Sequence, residues 1–209
     1  VYSPMTESGV ELAQPTAATA TFADFNADGN VDLFVGNGHT SYAVADLLFW
    51  GQGDGRFVRD ASALQDAPAQ PSNGSVSCDV DNDGDMDLYE SNLGGINWLW
   101  RNEFAETGKL TFVLYDTMHL GGDDIRLPQR TFASCAADFD NDGWDDLIAF
   151  RRSDEDCSLN FPGAGTSSDT GHALYLNREG AGFMDVANAS GLNVSPVGSA
   201  RARGVMGCQ

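Results

Sequence analysis

Basic side chains are scarce in this 209-residue chain: 11 Lys and Arg, with Lys109 the single lysine, stand against 31 Asp and Glu, for a formal net charge of −20. A surface of that sign repels nucleic acid and anionic membranes, so neither is expected as a partner. No apolar run approaches the roughly 18 residues of a membrane span. No signal-peptide pattern is present, and Val1 falls in the middle of a repeat unit. The three histidines (His39, His119, His172) are isolated in turn-rich stretches, and no nucleophile motif surrounds any serine or cysteine. The glycine- and serine-rich stretch 163–168 follows no phosphate-loop pattern. Catalysis is therefore not expected.

Acid, by contrast, is abundant and ordered. One nonapeptide occurs three times, at 24–32, 79–87 and 138–146. The first copy carries Asp24, Asn26, Asp28, Asn30 and Asp32 at positions 1, 3, 5, 7 and 9. The second carries Asp79, Asp81, Asp83, Asp85 and Asp87, and the third Asp138, Asp140, Asp142, Trp144 and Asp146. Glycine stands at position 6 of each, where a sharp reversal needs positive φ. Side chains at 1, 3, 5 and 9 and the carbonyl at 7 give an all-oxygen donor set, which suits Ca²⁺ and not a soft metal. Mg²⁺ keeps several waters and fits such a cage less well. Three Ca²⁺ sites are expected, the first weaker because Asn26 supplies an amide in place of a carboxylate.

The flanks argue for strands. Glu90 falls at position 12 of the second loop, as in a helix–loop–helix site, but Val35 and Ala149 hold that place in the other copies. Short apolar runs, such as Leu33-Phe34-Val35 and Leu147-Ile148-Ala149-Phe150, are bounded by turn residues and lack helical periodicity. Each loop thus reads as a hairpin tip. A second apolar pair of segments follows each hairpin, giving four short strands per unit and the pattern of a propeller blade. The expected fold is all-β, with blades of four antiparallel strands at about 17–66, 74–122 and 130–192 and partial blades at 1–12 and 199–209.

Asp138-Phe139-Asp140-Asn141-Asp142-Gly143-Trp144-Asp145-Asp146-Leu147, followed by Leu174-Tyr175-Leu176-Asn177 and Gly182-Phe183, resembles the FG-GAP/VCBS repeat, the calcium-binding blade of integrin-α-type β-propellers. Phe183 to Leu192, with Ala202-Arg203-Gly204-Val205, is similar to the subgroup that includes the cartilage acidic proteins. The resemblance implies an extracellular, calcium-stabilised binding or adhesion module.

The chain ends are out of phase with the repeat, so either the chain is an excerpt or a split blade is completed by its two ends or by another copy. The second arrangement would make it a filament or matrix subunit that self-assembles. A polysaccharide-cleaving propeller is the least favoured reading, since only Lys109 and a few arginines could supply a base. Asn73, Asn188 and Asn193 head glycosylation sequons near expected loops. Cys78, Cys135, Cys157 and Cys208 are disulfide candidates with three pairings open, or else buried thiols. The unidentified partner is an extracellular protein or glycan, to be sought first at Trp144 and the long insertion of about residues 153–171.

Overall fold

The computed structural model describes residues 8–10, 16–38, 44–60, 62–64, 69–92, 96–115, 131–151 and 172–192. Twelve strands form three sheets of four, each an antiparallel meander in chain order. The first sheet holds β1 (Ala17–Ala23), β2 (Asp32–Asn37), β3 (Leu47–Gly51) and β4 (Phe57–Asp60). The second holds β5 (Ser72–Cys78), β6 (Asp87–Asn92), β7 (Trp98–Asn102) and β8 (Phe112–Leu114). The third holds β9 (Thr131–Ala137), β10 (Asp146–Arg151), β11 (Ala173–Asn177) and β12 (Phe183–Asp185). One turn of helix, α1 (Phe104–Thr107), lies in the β7–β8 connection. The fold is all-β, as the sequence predicts. The partial terminal blades lie outside the described residues, apart from Ser8–Val10.

The sheets stack face to face, and the second lies between the other two. β2 and β6 are buried at every position, their polar residues included. Side chains still alternate between neighbours. Phe34 and Leu48 point into a cluster with Leu88, Trp98, Trp100 and Phe112 of the second sheet. Tyr89 and Leu99, on the opposite face of that sheet, meet Leu147, Ala149, Tyr175 and Phe183 of the third. Each fully buried aromatic or leucine side chain contributes about 1.5–3 kcal/mol through removal from water.

First strands run side by side, closely enough that a Cβ on Gly74 would stand 2.9 Å from Ala133 Cα. Each carries a register shift one residue in from its start, at Ala18, Asn73 and Phe132. Asn73 is consequently a bulged, half-buried residue within β5, and not the loop position expected for a sequon. Asn188 does sit in an exposed turn, and Asn193 lies outside the described residues.

Of the disulfide candidates, Cys78 ends β5 opposite Asp87, whereas Cys135 lies two residues earlier in its own first strand, opposite Ile148. Out of register, they do not pair. Cys78 is a free thiol buried with Val80, Tyr89 and Leu147, and burial pushes its pKa well above the usual range. Cys135 is disulfide-bonded, and Cys157 and Cys208 lie outside the described residues.

The sheets are also stitched by asparagines that end the third strands. Asn102 Nδ2 donates to Phe25 O of the preceding blade at 2.7 Å, and Asn177 Nδ2 donates to Val80 O at 2.8 Å. In the first blade the equivalent is Gly51, where a Cβ would stand 2.0 Å from Val31 O. Asn177→Ala removes the bond to the buried Val80 O and a second bond to the half-buried Asp145 O at 3.1 Å, and we expect a loss of about 2–4 kcal/mol in urea unfolding. A loss below about 0.5 kcal/mol would show that the stitch carries no weight.

Candidate metal centre

All three acidic loops follow one hydrogen-bonding plan. At position 1, Asp24, Asp79 and Asp138 accept the N–H of the position-6 glycine through Oδ2, at 2.8, 3.1 and 3.0 Å. At position 5, Asp28, Asp83 and Asp142 accept the N–H of position 7 through Oδ1, at 2.8, 2.9 and 3.0 Å. At position 9, Asp32, Asp87 and Asp146 use both oxygens. Oδ2 accepts the N–H of position 2 (Phe25, Val80, Phe139) at 3.0, 2.9 and 2.9 Å. Oδ1 accepts the N–H that ends the third strand (Gly51, Asn102, Asn177) at 2.9, 2.8 and 2.7 Å. Position 9 was expected only to close a cation shell. It also clamps the loop to its own blade.

Position 6 has φ of 86°, 94° and 93°, as its glycines allow. Sequence reasoning missed position 4. Ala27, Asn82 and Asn141 also have positive φ, at 53°, 56° and 63°. Asparagine tolerates that region; alanine is strained there by roughly 1 kcal/mol.

The loops bring acids together to different degrees. Asp79, Asp81 and Asp87 place one carboxylate oxygen each within 4.8 Å of one another, and so do Asp138, Asp140 and Asp146. In the first loop, with Asn26 at position 3, no such acidic trio forms among the described residues. The second loop differs most. α1 is seated on it by the Ala105 N–H bond to Asp85 Oδ2 at 2.7 Å, which brings Glu106 beside Asp81 and Asp83. The Asp85 side chain is thus buried and engaged, although only its carbonyl had an expected role. Arg101 bridges from Glu103 at 2.7 Å toward Asp81 at 3.8 Å. The second and third loops are tied directly by Asp79 N–H to Asp145 Oδ2 at 3.0 Å and Asn82 Nδ2 to Gly143 O at 3.0 Å. Trp144 is half-buried, with its ring packed over Gly180.

Three buried oxygens of the second loop, Asp79 Oδ1, Asp81 Oδ1 and Asp85 Oδ1, have no hydrogen-bond partner. Buried, unpaired carboxylate oxygens call for a counter-charge. Burial pushes the Asp87 carboxyl up to about 8 and Asp85 up to about 6, and raises Asp79, Asp81, Asp32 and Asp146 in the same direction. A hard cation fits this donor set: Asp79, Asp81, Asp83 and Asp87 would hold it in the second loop, Asp138, Asp140, Asp142 and Asp146 in the third.

Blades of four antiparallel strands, each with an acidic loop between its first two strands, define a repeat protein of the β-propeller type. A model of the FG-GAP-like repeat matches residues 24–90 and again residues 79–149, and the chain belongs to that family. Each match begins at position 1 of one loop and ends at position 12 of the next, so the family unit straddles a blade junction. Cartilage acidic protein 1 of Mus musculus is 28% identical over 145 residues, which cover 68% of this chain and 22% of the relative. The chain thus spans a small part of that protein's length. Among the described residues no helix is long and apolar enough to cross a membrane.

Two outcomes follow from the loop geometry. Ala27→Asn installs the residue that the other two loops carry, and should raise stability by about 0.5–1 kcal/mol in urea unfolding. No gain would mean that the first loop relaxes without strain. Metal uptake must also ionise Asp87. Its folded pKa lies above the unfolded value of about 4, so metal-free stability falls as pH rises from about 4 through about 8. Calcium binding near pH 7 should therefore release protons, seen as binding heats that vary with the ionisation enthalpy of the buffer. Buffer-independent heats would show Asp87 already ionised.

Proposed function

We propose that the chain is an extracellular, non-catalytic β-propeller module for binding or adhesion, in which Ca²⁺ is a structural ion at each of the three loops. The observation that carries this reading is the set of unpartnered buried oxygens in the second loop, Asp79 Oδ1, Asp81 Oδ1 and Asp85 Oδ1. A structural role agrees with how the remaining oxygens are used. Position-1, position-5 and position-9 carboxylates are spent on backbone N–H groups of their own blade, which orders the loop before any ion arrives. A carboxylate fixed in that way is poorly suited to shuttle protons to a substrate.

The extracellular placement rests on chemistry and kinship. Millimolar calcium outside cells matches loops that bind with modest affinity. The similarity to a cartilage acidic protein and the exposed Asn188 sequon point the same way. The partner is a protein or glycan met outside the cell.

Ion binding to the folded state alone adds about 2.7 kcal/mol per site at 100-fold excess over Kd. Melting in saturating CaCl₂ should exceed melting in EDTA by several degrees, and Asp81→Asn should shrink that gap. Equal melting temperatures with and without chelator would sink the structural-calcium reading.

A further inference from the structure

Away from the metal loops, where the second strand of one blade ends, two acids from neighbouring blades meet. Asp46 belongs to the β2–β3 connection of the first blade, and Glu90 to β6 of the second, where it is 2% exposed. Ser72 Oγ, at the start of β5, stands 3.0 Å from Asp46 Oδ1 and 2.7 Å from Glu90 Oε1. A carboxylate only accepts, and a hydroxyl has one proton to give. Two ionised carboxylates cannot make this set of bonds, so one of them carries a proton.

The neighbouring blade junction shows what that proton replaces. Asn97 precedes β7 as Asp46 precedes β3. Asn97 Oδ1 accepts the Asn92 N–H at 2.9 Å, and Asp46 Oδ1 accepts the Asn37 N–H at 2.6 Å. Asn97 then reaches across to the third blade as a donor, with Nδ2 3.1 Å from Thr131 Oγ1. Thr131 opens β9 as Ser72 opens β5. At the first junction an acid stands in that place: the Asp46 oxygen that accepts the Asn37 N–H also faces Ser72 Oγ, and an acid can donate only while it is protonated.

We propose that Asp46, Ser72 and Glu90 form a proton-operated latch between the first and second blades, closed while the acid pair holds one proton and released when both acids ionise. The other groups facing the pair are neutral: the Asn37 N–H on Asp46, Trp100 Nε1 on Glu90 Oε2 at 3.3 Å, and the Asn92 side chain on Glu90. Among the described residues no cation is bonded to either acid; His39, in the same connection as Asp46, lies outside them. Burial first, and then the charge of Glu90, push Asp46 up to about 8, and burial raises Glu90. For an acid raised on folding, the stabilising contribution is complete below the unfolded pKa of about 4 and is lost as pH rises through about 8.

The test is urea unfolding of the full chain in saturating CaCl₂ from about pH 5 to about pH 9, which keeps the loop carboxylates ionised throughout. The wild-type folding constant should fall by up to about tenfold per pH unit over part of this range. Asp46→Asn should flatten that fall and equal or exceed wild type at the alkaline end, since asparagine fills the same slot at the next junction; Glu90→Gln should flatten it as well. An unchanged slope in Asp46→Asn, or a loss equally large at every pH, overturns the latch. Should either variant fail to fold, infrared difference spectra of the calcium-loaded wild type decide it. A protonated-carboxyl band present near pH 7 and absent at alkaline pH supports the latch, and no such band near pH 7 overturns it.

Discussion

The fully buried aspartate that ends each acidic loop holds this architecture together. Asp32, Asp87 and Asp146 each bind the second residue of the loop through one oxygen and the end of the third strand through the other. Two segments, the start of the loop and the end of the third strand, are thereby fixed to one side chain. The loop is closed, the first hairpin is set in width, and the third strand is held in place by the same side chain. Burying a carboxylate is unfavourable, and the raised pKa of all three registers that cost. Paired backbone donors offset it, and the neighbouring acids then impose the demand for a cation. Fold and ion requirement thus arise from the same residue.

The loops show how far a repeat preserves geometry while its chemistry drifts. Positions 1, 5, 6 and 9 make the same bonds in all three copies, and position 4 takes the same left-handed conformation whether it is Ala27, Asn82 or Asn141. Differences enter at positions 3 and 7 and from outside the nonapeptide. In the second copy a helical turn seated on Asp85 delivers Glu106, and Arg101 approaches Asp81. One loop therefore carries both the densest acid and the nearest permanent positive charge.

Much of this was legible in the sequence. The recurrence of nine residues at near-constant spacing implied blades, and short apolar runs such as Leu33-Phe34-Val35, bounded by turn residues, implied strands. What escaped notice depends on contacts across the fold. Asn102 meets Phe25 and Asn177 meets Val80 from 77 and 97 residues away. The double use of the position-9 aspartate has no local signature, because its second partner lies at the end of another strand. Cys78 and Cys135 both lie on first strands, but a shift of two residues separates a buried free thiol from a bonded one. Glu90, at position 12, looked like a failed metal ligand. Its role becomes visible only when Asp46 of the neighbouring blade is brought against it.

The two blade junctions are built to respond differently to conditions. The second and third blades share amide and backbone bonds, from Asn97, Asn177 and Asn82, that no accessible pH alters. Their loops also bond directly through Asp79 and Asp145. The first and second blades share the Asn102 bond to Phe25 and a cluster of hydroxyls in which Ser75 meets Thr19 and Thr21. At that junction, however, an acid pair stands where the other has an amide, and the first loop carries Asn26 where the others carry aspartate. The acid pair moves part of the first blade's attachment from permanent bonds toward a bound proton, and Asn26 weakens the first loop's hold on a cation. A repeat protein distributes stability over nearest-neighbour interfaces, so an interface whose strength depends on solution conditions sets where the array yields first. On this arrangement, the second and third blades form the constant part of the segment, and the first blade is its conditional part.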